Sequence, residues 1–147
     1  MAYDDEFPAP AALLGYLLKH AQARMADLGD AALEPVGVTS RELGVLLTVA
    51  EGEPPSQQQA ALRLGVDRTT MVAILDALEG KGLVARRPHA QDRRRNVVTL
   101  TEAGVRAVRE AVRANEAAEA ELLAALDADT ARSLREALRL IVQAPPH

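Results

Sequence analysis

The sequence has 147 residues, enough for one domain with a core of its own. It has no cysteine, which excludes disulfides, thiolate catalysis and cysteine-ligated zinc. No apolar run approaches the roughly 18 residues that a membrane-spanning helix needs. The net charge of −4 argues at first against a nucleic-acid partner.

The acidic start, MAYDDEFPAP, lacks the basic stretch of a signal peptide, so a cytoplasmic location is expected. The aromatic residues are Tyr3, Phe7 and Tyr16, all near the start. The core is therefore expected to be Leu, Val and Ala, which suits closely packed helices. A first helix is predicted from about Ala9 to Leu28, with Leu13, Leu14, Leu17, Leu18, Ala21 and Met25 at helical spacing. Gly29, Pro35 and Gly37 mark the loop after it. Thr39 or Ser40 can cap a second helix, near Ser40 to Glu51, carrying Leu43, Leu46, Leu47 and Val49. The run EGEPP breaks it, and Ser56 can cap a short third helix that ends at Gly65. Asp67 can cap a fourth, which ends at Gly80 or Gly82.

The period then changes. LVARRP and RNVVTL are short and β-prone, with the polar tip HAQDRR between them, which predicts a two-stranded hairpin. Thr101 can cap a long helix, from about Glu102 to Ala125, with Val105, Val108, Val112, Leu122 and Leu123 as its apolar members. Asp127 or Asp129 starts a last helix to about Val142, with Leu134, Leu138 and Ile141 on one face. The expected fold is mainly α: a winged helix-turn-helix with a two-stranded β-wing and long N- and C-terminal dimerisation helices. The whole chain, 1–147, is expected to form one domain. Segments 9–36 and 102–147 would supply the dimerisation helices and 37–101 the DNA-binding lobe. The outer helices leave apolar surface that one copy could hardly cover, and a second copy is the simplest cover.

The helix-turn-helix carries the candidate chemistry. Leu64-Gly65-Val66 is its turn, and Val66, Met71, Leu75 and Leu78 are expected to face inward. That leaves Arg68, Thr69, Thr70, Val72 and Ala73 toward the exposed face and the helix N-terminus. Free amides and the positive helix end favour phosphate there, and N-terminal side chains can reach base edges in the major groove. Arg68 can fork onto guanine, the two threonines can bond to phosphate or base, and Val72 and Ala73 offer apolar contact to thymine methyls. Helix pairs with a glycine turn are also common in purely structural bundles. The hairpin tip adds weight, because Asp92, Arg93, Arg94 and Arg95 crowd it, and arginine suits a narrow minor groove. Charge placement agrees: from Ser56 to Arg109 ten basic residues stand against five acidic, while the remainder holds seven basic and sixteen acidic.

At these residues the sequence resembles the MarR family of transcriptional regulators. DRRRNVVTLTEAG, Asp92 to Gly104, is similar to that family's wing signature, and LGVDRTTMVAILDALEGKGLVARR resembles its recognition helix and following strand. The resemblance covers nearly the whole chain. It implies two-fold dimers formed by the terminal helices, binding to pseudo-palindromic double-stranded DNA, repression as the usual outcome, and release by a small aromatic or anionic ligand. Residue by residue it makes Arg94 the minor-groove arginine, Asp92 the acid that orders the wing, and Arg86 the basic residue ending the first wing strand. Thr69 and Thr70 match the polar start of the recognition helix. Ala73 and Ala77 depart from the basic residues of many relatives, which shifts binding onto Arg68 and the wing.

Tyr16, His20 and Arg24 share one face of the first helix and are candidates for a ligand cleft, with His20 and Arg24 receiving an anion. A solvated stripe beside the dimer seam is the plainer explanation of the same spacing. His20, His89 and His147 are too scattered for a metal site, and no cofactor is expected. No nucleophile elbow, phosphate loop, metal motif or dinucleotide fingerprint is present, so no enzymatic activity is expected. The competing class is a winged-helix module that binds protein instead of DNA, which the acidic total charge favours and the arginine-rich wing opposes.

Overall fold

The computed structural model describes residues 6–51, 57–94 and 96–146. Among them the chain runs α1 (Leu14–Leu33), α2 (Ser40–Val49), α3 (Gln57–Leu64), α4 (Arg68–Gly80), β1 (Val84–Pro88), β2 (Asn96–Leu100), α5 (Glu102–Leu122) and α6 (Ala128–Gln143). The strands pair antiparallel, with Val84 opposite Leu100, Arg86 opposite Val98 and Pro88 opposite Asn96. This is the mainly helical, winged helix-turn-helix architecture that the change of period predicts.

Helix α1 departs from expectation at both ends. It begins at Leu14, after a 3-10 turn over Pro10–Ala12, because Leu13 is extended and its amide bonds back to Pro10. It then runs through Gly29 to Leu33, and only Gly37, with φ +82°, turns the chain. Gly29 is buried, and a Cβ there would stand 3.0 Å from the Ser40 hydroxyl and 3.7 Å from the Asn115 side chain. It is a packing glycine and not a loop marker. The caps resolve the open choices. Thr39 caps α2 in a full capping box with Glu42, while Ser40 is the first helical residue and donates to Asp30 at 2.8 Å. Asp127, not Asp129, caps α6. Ser56, read as the cap of α3, lies outside the described residues, as do Tyr3 and His147.

The core sits under the helix-turn-helix. Leu33, Leu46, Met71, Leu75 and Leu78 are fully buried, and Val84 and Val98 close the hairpin onto them. Each such aliphatic side chain stabilises by about 1.5–3 kcal/mol. Gly65, with φ +64°, makes the turn between α3 and α4 that most residues could not adopt cheaply.

Helix α5 packs chiefly on α1. Its buried positions are the small residues Gly104, Ala111 and Ala118, and Val105, expected among its apolar contacts, is exposed. Small side chains bring the two helix axes close, so the larger ones flank the seam. Helix α6 buries no residue, and Leu134, Leu138, Leu140, Ile141 and Val142 stay exposed, as do Leu13, Leu14, Leu17 and Leu18 of the first segment. No helix among the described residues is long and apolar enough to cross a membrane.

Candidate nucleic-acid interface

Asp67 starts α4. Its carboxylate accepts the Thr70 amide at 2.7 Å and the Thr70 hydroxyl at 2.9 Å. The backbone bond first, and the hydroxyl second, hold its pKa below the ordinary carboxylate value. Thr70 is half-buried and its hydroxyl proton is committed to this cap, so it is less free than the sequence suggests. Arg68, Thr69 and Ala73 are exposed and Val72 is half-buried. Helical spacing continues the stripe of Thr69, Val72 and Ala73 to Asp76, an acid that sequence reasoning did not single out.

The hairpin carries the rest. Asp92 accepts the Arg94 amide at 3.1 Å, a local turn that fixes the tip. His89 was also missed as an ordering residue: its Nδ1 accepts the amides of Gln91 and Asp92 at 3.1 and 3.2 Å. Asp92, Arg93 and Arg94 are exposed, and among the described residues none of the three side chains makes an ion pair. Arg95 lies outside the described residues. Arg86 differs from the tip arginines. It shares the strand face of buried Val84, its side chain is only 20% exposed, and its guanidinium pairs with Asp76 of α4. Its Nε lies 3.9 Å from Glu79 and has no hydrogen-bond partner among the described residues.

Two devices tie the turn after α4 to its neighbours. Lys81, just past α4, donates to both oxygens of Glu42, at 2.8 and 3.0 Å, and to the Gly37 carbonyl at 2.9 Å. The Thr101 hydroxyl donates to the Gly82 carbonyl at 2.6 Å and accepts the Gly104 amide at 3.0 Å. That geometry explains the Leu-Thr-x-x-Gly end of the wing signature: Thr101 clips the start of α5 to the turn after α4, and glycine at 104 lets the two backbones meet.

Tyr16, His20 and Arg24 remain on one exposed face of α1, with the Tyr16 and His20 rings 4.0 Å apart and tilted by 37°. A groove of about 410 Å³ lies elsewhere, between α1, α5 and α6. Leu18, Gln22 and Met25 line it from α1, Leu122 from α5 and Leu138 from α6, while Glu119 and Arg135 pair across it at 2.9 Å. At 100° per residue the Tyr16 face points away from the Leu18 and Met25 face, so the structure does not bring the three candidates to this groove.

An exposed helix N-terminus beside a hairpin with a basic tip defines a winged helix-turn-helix protein. A profile of the MarR family matches residues 36–95. The chain is 34% identical to a transcriptional repressor CouR solved bound to a 23-mer DNA duplex, with a TM-score of 0.85 over 90% of this chain and 94% of that one. It is 32% identical to the Mycobacterium tuberculosis MarR family protein Rv2887, solved in complex with DNA, with a TM-score of 0.77 over 88% and 98% of the two chains. It is also 32% identical to the transcriptional repressor MprA of Escherichia coli over 72% of this chain and 61% of that protein. The match spans about three fifths of the length of such curated relatives. The chain belongs to the MarR family.

Proposed function

We propose that the chain is a sequence-specific regulator of transcription that binds pseudo-palindromic duplex DNA as a homodimer and acts as a repressor. The observation that carries this is the pairing of α4, open at Arg68 and Thr69, with a wing tip whose Arg93 and Arg94 make no ion pair among the described residues. Arg68 and Thr69, with Val72 and Ala73, would meet the major groove, and the tip arginines, Arg95 included, the minor groove. Thr70 and Asp92 serve as the residues that order these two elements. The relatives solved on DNA, CouR and Rv2887, support the same use of the fold.

The unburied apolar face of α6 and the exposed leucines of α1 support a second copy as their cover. The groove between α1, α5 and α6 falls within the volume range of small-molecule sites. CouR from Rhodococcus jostii RHA1, 27% identical to this chain, has been solved with p-coumaroyl-CoA, and Rv2887 with salicylic acid, which supports release of DNA by a small aromatic or anionic ligand. Such a ligand would have to favour one spacing of the two recognition helices over another. The function is binding and not catalysis, and its place is the cytoplasm, where DNA is met.

The test is selection of bound duplexes from a random pool by the full chain. Two related half-sites about 10 bp apart, or a multiple of that, are expected. Recovery of no duplex overturns the assignment in favour of a protein-binding winged helix.

A further inference from the structure

The recognition helix carries an acid where a DNA-facing surface should avoid one. Asp76 follows Thr69, Val72 and Ala73 on the same stripe, and its side chain is 61% exposed. A carboxylate there would face the phosphates that line a major groove and weaken binding to any sequence. The structure provides a counter-charge from the wing. Arg86 of β1 stands opposite Val98 in the hairpin, on the strand face that buries Val84. Its stem lies over the core while its guanidinium reaches the C-terminal half of α4. It pairs with Asp76, and Glu79 stands 3.9 Å from its Nε. The Nε is buried without a hydrogen-bond partner among the described residues, while the Nη2 end of the fork reaches the exposed carboxylate of Asp76. The wing-tip arginines are built differently: Arg93 and Arg94 are exposed and make no ion pair among the described residues.

We propose that Arg86 is a positioning residue for DNA recognition, which clamps the wing to the recognition helix and masks Asp76, and that it is not itself a phosphate ligand. This rests on the DNA-binding function proposed above. The clamp neutralises the one acid on the stripe of α4 formed by Thr69, Val72, Ala73 and Asp76, and binding depends on this masking of charge.

The test is a mutant cycle of R86Q, D76N and the double variant, titrated on the selected duplex at several salt concentrations. R86Q is expected to weaken binding about tenfold or more while the slope of affinity against salt stays that of the wild type, because no phosphate contact is lost. D76N, which has no acid left to mask, is expected to bind within about threefold of the wild type. Adding R86Q to D76N is then expected to cost little more. R86M, which removes the charge and keeps an apolar stem of similar length, carries the same cycle should R86Q fail to fold. A loss that persists in the D76N background, with a salt slope lowered by about one, overturns the proposal and makes Arg86 a direct phosphate contact. No effect of R86Q on a folded chain overturns it as well. A wild type that binds no duplex removes the DNA assignment itself, and the two failures are thereby distinct.

Discussion

Gly104 approaches Leu83 so closely that a Cβ at 104 would stand 2.0 Å from the Leu83 carbonyl oxygen and 3.0 Å from its carbon. The neighbour is backbone and cannot turn aside. The same carbonyl accepts the Thr101 amide at 3.1 Å, so moving it breaks the junction between wing and α5. G104A is therefore expected to destabilise the fold by at least about 1–3 kcal/mol, the usual cost of overpacking. Thr101→Val, which loses two hydrogen bonds but keeps the shape, should cost about 1–2 kcal/mol. Urea denaturation followed by circular dichroism measures both. Wild-type stability in G104A would mean that α5 and β1 can separate without loss.

Arg94 and Arg68 divide the DNA contacts by kind. R94A is expected to weaken binding to all duplexes alike and to lower the salt slope by about one. R68A should cost about 1–3 kcal/mol and relax preference at one base pair. H89A belongs with the wing: it removes the acceptor for two tip amides, so weaker DNA binding with an unchanged melting temperature is expected. Titrations on matched and scrambled duplexes separate the three. Equal losses from R68A on both duplexes would place Arg68 on phosphate.

Local signals in the sequence were the dependable ones. The caps Asp67 and Thr101 and the turn at Gly65 depend on neighbours within a few residues, and each stands where expected. What was not legible depends on how distant segments meet. Gly29 looks like a helix stop until Ser40 and Asn115 are seen against it. Val105 fits the apolar period of α5, but α1 selects the Ala111 and Ala118 side. Asp76 and Arg86 are ten residues apart, and only the hairpin and its packing on α4 bring them together. For α1, spacing groups Tyr16 with His20 and Arg24, but rotation of the helix about α5 decides which face lines the groove.

Lys81 is one of only two lysines in the chain, and its partner Glu42 has a side chain just 9% exposed. Among the described residues, K81M leaves that carboxylate with the Thr39 amide, at 3.3 Å, as its remaining partner. A fully buried pair broken in this way costs about 3–5 kcal/mol. Lys81 is 41% exposed, so water softens the loss, and about 1–3 kcal/mol is expected. The double variant K81M/E42Q should recover part of it, measured by the same denaturation. A K81M chain as stable as the wild type would show that water serves Glu42 as well as the lysine does.

Assembly can be tested without disturbing the single-chain fold. Ile141 is 62% exposed and Leu140 likewise, so a charge at 141 touches nothing in its own chain's core. I141D is expected to give a folded monomer by sedimentation, with a circular dichroism spectrum close to that of the wild type. Binding to a duplex with two half-sites should fall toward that of one half-site. A dimer that survives I141D would move the interface off the α6 face.

Two caps set an acid limit on stability. Asp67 and Asp127 are both held below the ordinary carboxylate value of 3.8, chiefly by the backbone amides of Thr70 and Thr130 that they accept at 2.7 Å, and then by the threonine hydroxyls. The unfolded carboxylates return to the ordinary value, so the unfolded chain binds protons more readily than the folded one. The stabilisation from each cap is complete above the unfolded pKa. It is lost as pH falls from there through the lower folded value. Stability is thus expected to drop between about pH 4.5 and the folded value, and to be flat with respect to these groups near neutrality. D67N keeps a capping oxygen without a titrating proton, so it should lessen the acid dependence while changing neutral stability little. D67A should lower neutral stability and lessen the acid dependence together. Denaturation midpoints at about pH 3 and 7 measure the difference. An acid dependence in D67N and D67A as steep as that of the wild type would assign it to other carboxylates.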